Sequence, residues 1–156
     1  MDLSERIKKY LENVYRYLAI RNRSEKEIRD YLTKKKAELE IITLIIEKLK
    51  KQKFLDDEKF ARSWILSRAR FRPKGKSALK FELLQKGISK EIIEKVLQEK
   101  IEDMPDELTQ AKRLIERRIE KLKDKPKQEI YQKVGGFLAR RGFDWNTIKK
   151  AIDSLL

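Results

Sequence analysis

The 156-residue chain has no cysteine and no histidine. The first absence removes disulfides and thiolate metal sites. The second removes the commonest general base and metal ligand, so the enzymatic options shrink sharply and the chain reads as a non-enzyme with no metal or cofactor. Five glycines and three prolines leave little material for sheet turns, while the abundance of Leu, Ile, Lys, Glu and Arg favours helix almost everywhere. Long apolar runs are missing too. The longest lies around Ile41 to Ile46, far short of the ~20 residues that span a bilayer. No signal peptide is visible at Met1 to Tyr10, which reads as a charged amphipathic helix. An all-α, soluble, cytoplasmic protein with no membrane partner is expected.

What is present is a repeat. Placing Ile28 over Leu79 and Val134, at spacings of 51 and 55 residues, aligns Leu32, Leu83 and Leu138, then Ile42, Ile93 and Ile148, then Ile46, Leu97 and Ile152. In this register the turn position is occupied by Lys36, Gly87 and Gly142. Two of these are glycine, the residue best able to take the left-handed conformation that ends a helix. A period of about 50 residues marks a supersecondary module that buries its apolar face against its neighbours. Three such modules are expected, at residues 1–53, 54–103 and 104–156. Each is near the lower size limit for an independent core, so the modules support one another.

Local signals place the helices. A one-sided stripe of Ile7, Leu11, Val14, Tyr15 and Leu18 makes the first helix. Ser24 followed by Glu27 is a capping box that opens the second, with Ile28, Tyr31 and Leu32 on its apolar face. The third carries Leu39, Ile42, Ile46 and Leu49. Without a glycine, residues from Ile28 to Leu49 also fit one continuous amphipathic helix; the repeat register argues for a break between Lys35 and Glu38. In the second module, acidic residues from Asp56 to Glu58 favour the positive end of a helix dipole, and Phe60, Ala61, Trp64, Ile65 and Ala69 form its stripe. Trp64 is assigned to the core rather than to base stacking, because it shares the register of Phe60. In the third, the stripes run through Leu108 to Leu122, then Ile130, Val134 and Leu138, then Trp145, Ile148, Ile152 and Leu155. Gly135 and Gly136 make its middle helix the weakest.

The formal charge is +14, and the question is whether it is clustered or spread as solvated surface charge. No acidic residue lies between Glu58 and Glu82, while that stretch holds Lys59, Arg62, Arg68, Arg70, Arg72, Lys74, Lys76 and Lys80. Elsewhere cations alternate with glutamates at helical spacing, as in Glu116, Arg117, Glu120 and Lys121, the pattern of a salt-bridged solvated face. Arginine forks suit bidentate binding of phosphate and carboxylate. Arg62, Arg68, Arg70 and Arg72 are therefore the leading candidates for a polyanion contact, with Lys74, Lys76 and Lys80 beside them and Arg21 and Arg23 in the matching linker of the first module.

Two sharper readings of this stretch fail. Adjacent Asp56 and Asp57 do not converge on a helix and have no companion ligands, so they are not a metal site. Gly75-Lys76-Ser77 mimics the end of a phosphate-binding loop, but Arg70 stands where the first glycine is needed and a helix precedes it where a strand is required. Gly75 aligns with Ser24 and is a helix N-cap.

Arg23-Ser24-Glu25 with Glu27-Ile28, then Asp56-Asp57 with Phe60-Ala61, Trp64 and Arg68, then Gly75, Leu79, Glu82-Leu83 and Lys86-Gly87-Ile88 form, in that order, a pattern that resembles the RecX family of bacterial regulatory proteins, modulators of the RecA recombinase. The sequence departs from it at Lys36 and Ala37, where the family has glycine followed by an aromatic or aliphatic residue. The resemblance implies an elongated, curved array of three-helix modules seated in the groove of a RecA filament on DNA. It also implies inhibition of RecA's ATPase, coprotease and strand-exchange activities. RecA is then the partner, with single- or double-stranded DNA as a further contact, and a monomer suits a groove binder. Two other readings stand beside it. One is a free-standing DNA-binding protein, for which few Asn or Gln are available to read base edges. The other is a helical scaffold for an acidic protein partner.

Overall fold

The computed structural model describes residues 1–156 and consists of nine α-helices without a strand. In chain order they are α1 (Leu3–Ile20), α2 (Glu25–Lys34), α3 (Leu39–Lys51), α4 (Asp57–Phe71), α5 (Lys76–Gln85), α6 (Lys90–Gln98), α7 (Glu107–Lys121), α8 (Lys127–Arg140) and α9 (Trp145–Leu155). None is long and apolar enough to cross a membrane.

The break after Lys35 exists, and it has the same chemistry in all three copies. Lys36, Gly87 and Gly142 take φ of 66°, 80° and 90°. Their amides bond Thr33, Leu84 and Ala139, while the next amides, of Ala37, Ile88 and Phe143, reach back to the carbonyls of Leu32, Leu83 and Leu138. This is the Schellman closure of a helix, in which a left-handed residue lets two otherwise orphaned carbonyls be satisfied. Lys36 adopts it without being glycine, at the conformational expense of a Cβ in the left-handed region.

Helix starts follow local chemistry as well. Asp2, Asp106 and Asp144 each accept the amide three residues on, and Ser24 and Glu27 complete a capping box. Asp56 accepts from the amides of Glu58 and Lys59, and Ser89 from that of Ile92. The change of period from 51 to 55 residues is explained by α8, which has 14 residues where α2 and α5 each have 10. Four residues are close to one helical turn, so the apolar face keeps its direction.

By packing, the chain gathers into two compact units, residues 1–61 with 83–96, and residues 62–82 with 97–156. The core of the first is Leu11, Val14, Ile28, Leu32, Ile41, Ile42, Ile45, Ile46, Leu49 and Leu55. That of the second includes Ala111, Ile115, Ile119, Ile130, Val134, Leu138, Phe143, Ile148 and Ile152. Each fully buried Leu or Ile contributes roughly 2 kcal/mol of transfer free energy. Two residues expected in the stripes lie outside them: Leu39 is 74% and Trp145 58% exposed. Both are the first residue of their helix, before the chain has turned toward the core.

Each unit contains one version of the same joint. In the first, the Ser24 hydroxyl donates to the carbonyl of Lys86 at 2.7 Å, and a Cβ on Gly87 would lie 2.5 Å from the Cβ of Lys26. In the second, the Gly75 amide donates to the carbonyl of Arg141 at 2.8 Å, and a Cβ on Gly142 would lie 2.5 Å from the Cβ of Ala78. The start of one module's middle helix thus receives the left-handed turn of the next module. Gly87 and Gly142 are glycine for close approach as well as for φ. Lys36 is exposed and meets only the second demand, which explains the departure at this position.

Candidate polyanion-binding surface

The acid-free stretch before Glu82 is not free of acid in space. Within the second unit, Arg62 on α4 donates to both carboxylate oxygens of Glu99, at 2.6 and 2.9 Å. Arg68, two turns further along α4, grips Glu82 on α5 in the same bidentate way, at 3.2 and 2.6 Å. Lys74 also reaches Glu82, at 3.2 Å, and the Trp64 indole N–H points to it at 3.4 Å. Burial alone would push the Glu82 carboxyl up, but the hydrogen bonds from Arg68, Lys74 and Trp64 outweigh it and hold the group below the ordinary glutamate range. Glu82 is therefore a carboxylate at neutral pH, fully engaged by cations of the cluster.

The nine candidates accordingly fall into two groups. Arg62, Arg68 and Lys74 are committed to internal carboxylates, as is Arg21, which forms a bidentate pair with Glu27. Arg23 lies over the Tyr17 ring at 3.8 Å and donates to the Tyr17 carbonyl. Tyr17 is itself stacked on Tyr31, so this arginine is half of a layered support rather than an open hand. Arg70, Arg72, Lys76 and Lys80 are exposed and form no ion pair with their side chains. Lys76 differs from the other three, because it sits in the field of Glu107 and Asp144. Trp64, assigned to the core from its register, is half-buried, with Arg68 over its ring at 5.0 Å. Trp64, Ser67, Arg68, Phe71 and Arg72 line a shallow hollow there.

Sequence spacing does not show these pairings. The carboxylates come from α5 and from just past the end of α6, 14 and 37 residues away, beyond any window of helical periodicity. Arg70, Arg72 and Lys80 are the cations of the stretch left exposed with no carboxylate near, and Glu82 is what presets Arg68 and Lys74.

The fold is that of an all-helical protein of three-helix repeats with unpaired cations on its surface. Family models for the first, second and third three-helix domains of RecX match residues 11–49, 56–97 and 105–152 in tandem. The chain belongs to the RecX family of regulatory proteins. The regulatory protein RecX of Prosthecochloris aestuarii is 35% identical to it, over 96% of this chain and 95% of the relative. That of Bacillus pumilus is 35% identical over 97% of this chain but 57% of its own length, and that of Oceanobacillus iheyensis 34% over 89% and 50%. The chain thus spans about half the length of those two relatives. The crystal structure of RecX from Lactobacillus salivarius superposes with a TM-score of 0.87 over 98% of both chains at 24% identity, a likeness of fold.

Proposed function

We propose that this protein binds RecA nucleoprotein filaments and inhibits RecA's ATPase, coprotease and strand-exchange activities, and so tempers recombination, DNA repair and the SOS response. It acts in the cytoplasm as a monomer, through modules at residues 1–53, 54–103 and 104–156, and catalyses no reaction itself. The observation that carries this reading is the tandem match of all three RecX domains along one chain. The unpaired Arg70, Arg72 and Lys80, with Lys76, supply the contact to phosphate or carboxylate in the filament, Arg62, Arg68 and Lys74 hold the surface behind them, and Arg21 and Arg23 brace the linker of the first module. Several weak patches on one body act together by effective concentration.

The test is RecA's DNA-dependent ATPase, followed with increasing amounts of the protein over a salt series. Inhibition is expected. If six or more anions are neutralised, the affinity falls by roughly 10³ to 10⁵ between low and moderate salt. Unchanged turnover with the protein in excess would overturn the reading. A sequence-selective footprint on duplex DNA without any effect on RecA would make it a DNA-binding regulator instead. Binding to acidic protein alone would make it a scaffold.

A further inference from the structure

The third module spreads its cations along the chain with no acid-free run like that of the second, yet the structure places two unpaired guanidinium groups on one ring there. The Arg118 guanidinium carbon, from α7, lies 3.8 Å from the centroid of Phe137 on α8, and that of Arg141 lies 5.1 Å from the same centroid. Elsewhere in the molecule Arg62, Arg68 and Arg21 take a carboxylate with both arms, and Arg6 and Arg29 with one. Arg118 and Arg141 do not. The helical neighbours of Arg118 at three and four residues are Leu114, Ile115, Lys121 and Leu122, none acidic. Glu120 and Glu129 are engaged by Lys123 and Lys133. A ring that holds guanidinium planes by cation–π attraction leaves their N–H edges free. Two like charges on one ring repel unless an anion sits between or beside them.

We propose that Arg118 and Arg141, held on Phe137, form a clamp for the backbone phosphates of a nucleic-acid strand. The anion is a polymer because the clamp does not stand alone. The carbonyl of Arg141 accepts the amide of Gly75, and Gly75 lies between Lys74 and Lys76, so the clamp is tied by main chain to the basic stretch of the second module. A phosphodiester offers each fork two oxygens and continues to the next cation, which neither a free phosphate nor an isolated carboxylate does. This deepens the proposed function by making nucleic acid a direct ligand of this chain, in addition to any contact with RecA.

The experiment uses the full chain without RecA and a fluorescein-labelled single-stranded oligonucleotide, with anisotropy read over a salt series. Combined Arg118→Ala and Arg141→Ala should weaken binding at least tenfold at low salt. It should also reduce the slope of log K against log salt by about two phosphate contacts, at ~0.7 to 0.9 each. Lys8→Ala with Lys9→Ala, exposed on α1, removes the same charge elsewhere and should weaken binding much less. Phe137→Leu keeps the charge but removes the ring, and should fall between the two; thermal melting monitors its fold, and the exposed Arg118 and half-buried Arg141 pair stands as the test if it fails to fold. Equal effects of the two double variants, no oligonucleotide binding by the unaltered chain, or displacement by polyglutamate as readily as by unlabelled DNA would each overturn the clamp. Unchanged oligonucleotide binding by the Arg118/Arg141 variant, with RecA ATPase inhibition intact, leaves the proposed function standing while the clamp falls. DNA binding without RecA inhibition does the reverse.

Discussion

Gly75 gives its amide to the carbonyl of Arg141 at 2.8 Å, and a Cβ on Gly75 would stand 2.2 Å from the carbonyl carbon and oxygen of Gly142. Main chain meets main chain there, with no flexible atom to move aside. Gly75→Ala should destabilise the fold by about 2–3 kcal/mol, the scale of overpacking a tight site, read from urea unfolding. Gly135→Ala, the same chemical change inside α8, should stabilise by ~0.5–1 kcal/mol, because its new methyl would meet nothing nearer than Ile148 at 3.5 Å. Shifts of the same sign for both would show that the close approach is absent.

Lys36 is strained only by its own backbone. With φ at 66° and an exposed side chain, Lys36→Gly should raise stability by about 0.5–1 kcal/mol, the left-handed penalty of a Cβ less the added freedom of the unfolded chain. Lys36→Ala serves as the reference and should change little. A glycine variant no more stable than the alanine variant would mean that the turn is not strained.

Glu82 holds stability and charge in opposition. Glu82→Gln removes the charge and one of the two acceptor oxygens that Arg68 and Lys74 share and should lower stability by about 1–2 kcal/mol, a modest figure because the pair is partly solvated. The two released cations should at the same time strengthen low-salt binding to the filament several-fold. Charge reversal at Arg70 and Arg72 should weaken binding without this loss of stability, since neither side chain is paired. Including Arg68 in that reversal should destabilise the fold, because it sets a new carboxylate against Glu82. Paired urea unfolding and binding titrations measure both effects.

Stability should fall in acid. A strong hydrogen bond from Lys50 lowers the Glu25 carboxyl, and at Glu27 and Glu82 burial pushes upward but the bonds from Arg21 and Arg68, with their neighbours, prevail. A folded value below the unfolded one, about 4.3 for glutamate, gives stability that is present above that pH and is lost as pH falls through the folded value. Asp57 and Glu107, raised by burial, act the other way: they favour the folded form at low pH and lose that effect as pH rises through their folded values. Asp106, Glu129 and Asp144 are lowered too, by hydrogen bonds from Thr109, Lys133 and Thr147, so with six groups against two the melting temperature should be flat from neutral pH to about 5 and decline below about 4. A rise on acidification through that window would mean that the buried pair dominates.

What could be read from sequence was local. The capping box at Ser24, the caps at Gly75 and Ser89, and the turn at Lys36 all depend on residues within one helical turn, and the repeat register carried the glycine positions onto a lysine. Leu39 and Trp145 misled because apolar periodicity does not show where a helix begins. The arginine pairings were invisible for a different reason. Glu82 approaches α4 from α5 and Glu99 from just past the end of α6, and Arg118 reaches Phe137 from α7, so only packing reveals which cations are spent and which are open. Charge density along the chain marks out the acid-free stretch but not which of its cations are left unpaired.

The backbone contact between residues 75 and 142 also limits how this protein can drift. Both positions are already glycine and have nothing left to give up: a side chain at 75 would run into the main chain of 142, and one at 142 into Ala78. Each glycine is fixed on its own account, whereas position 36, bordered by solvent, is left to wander.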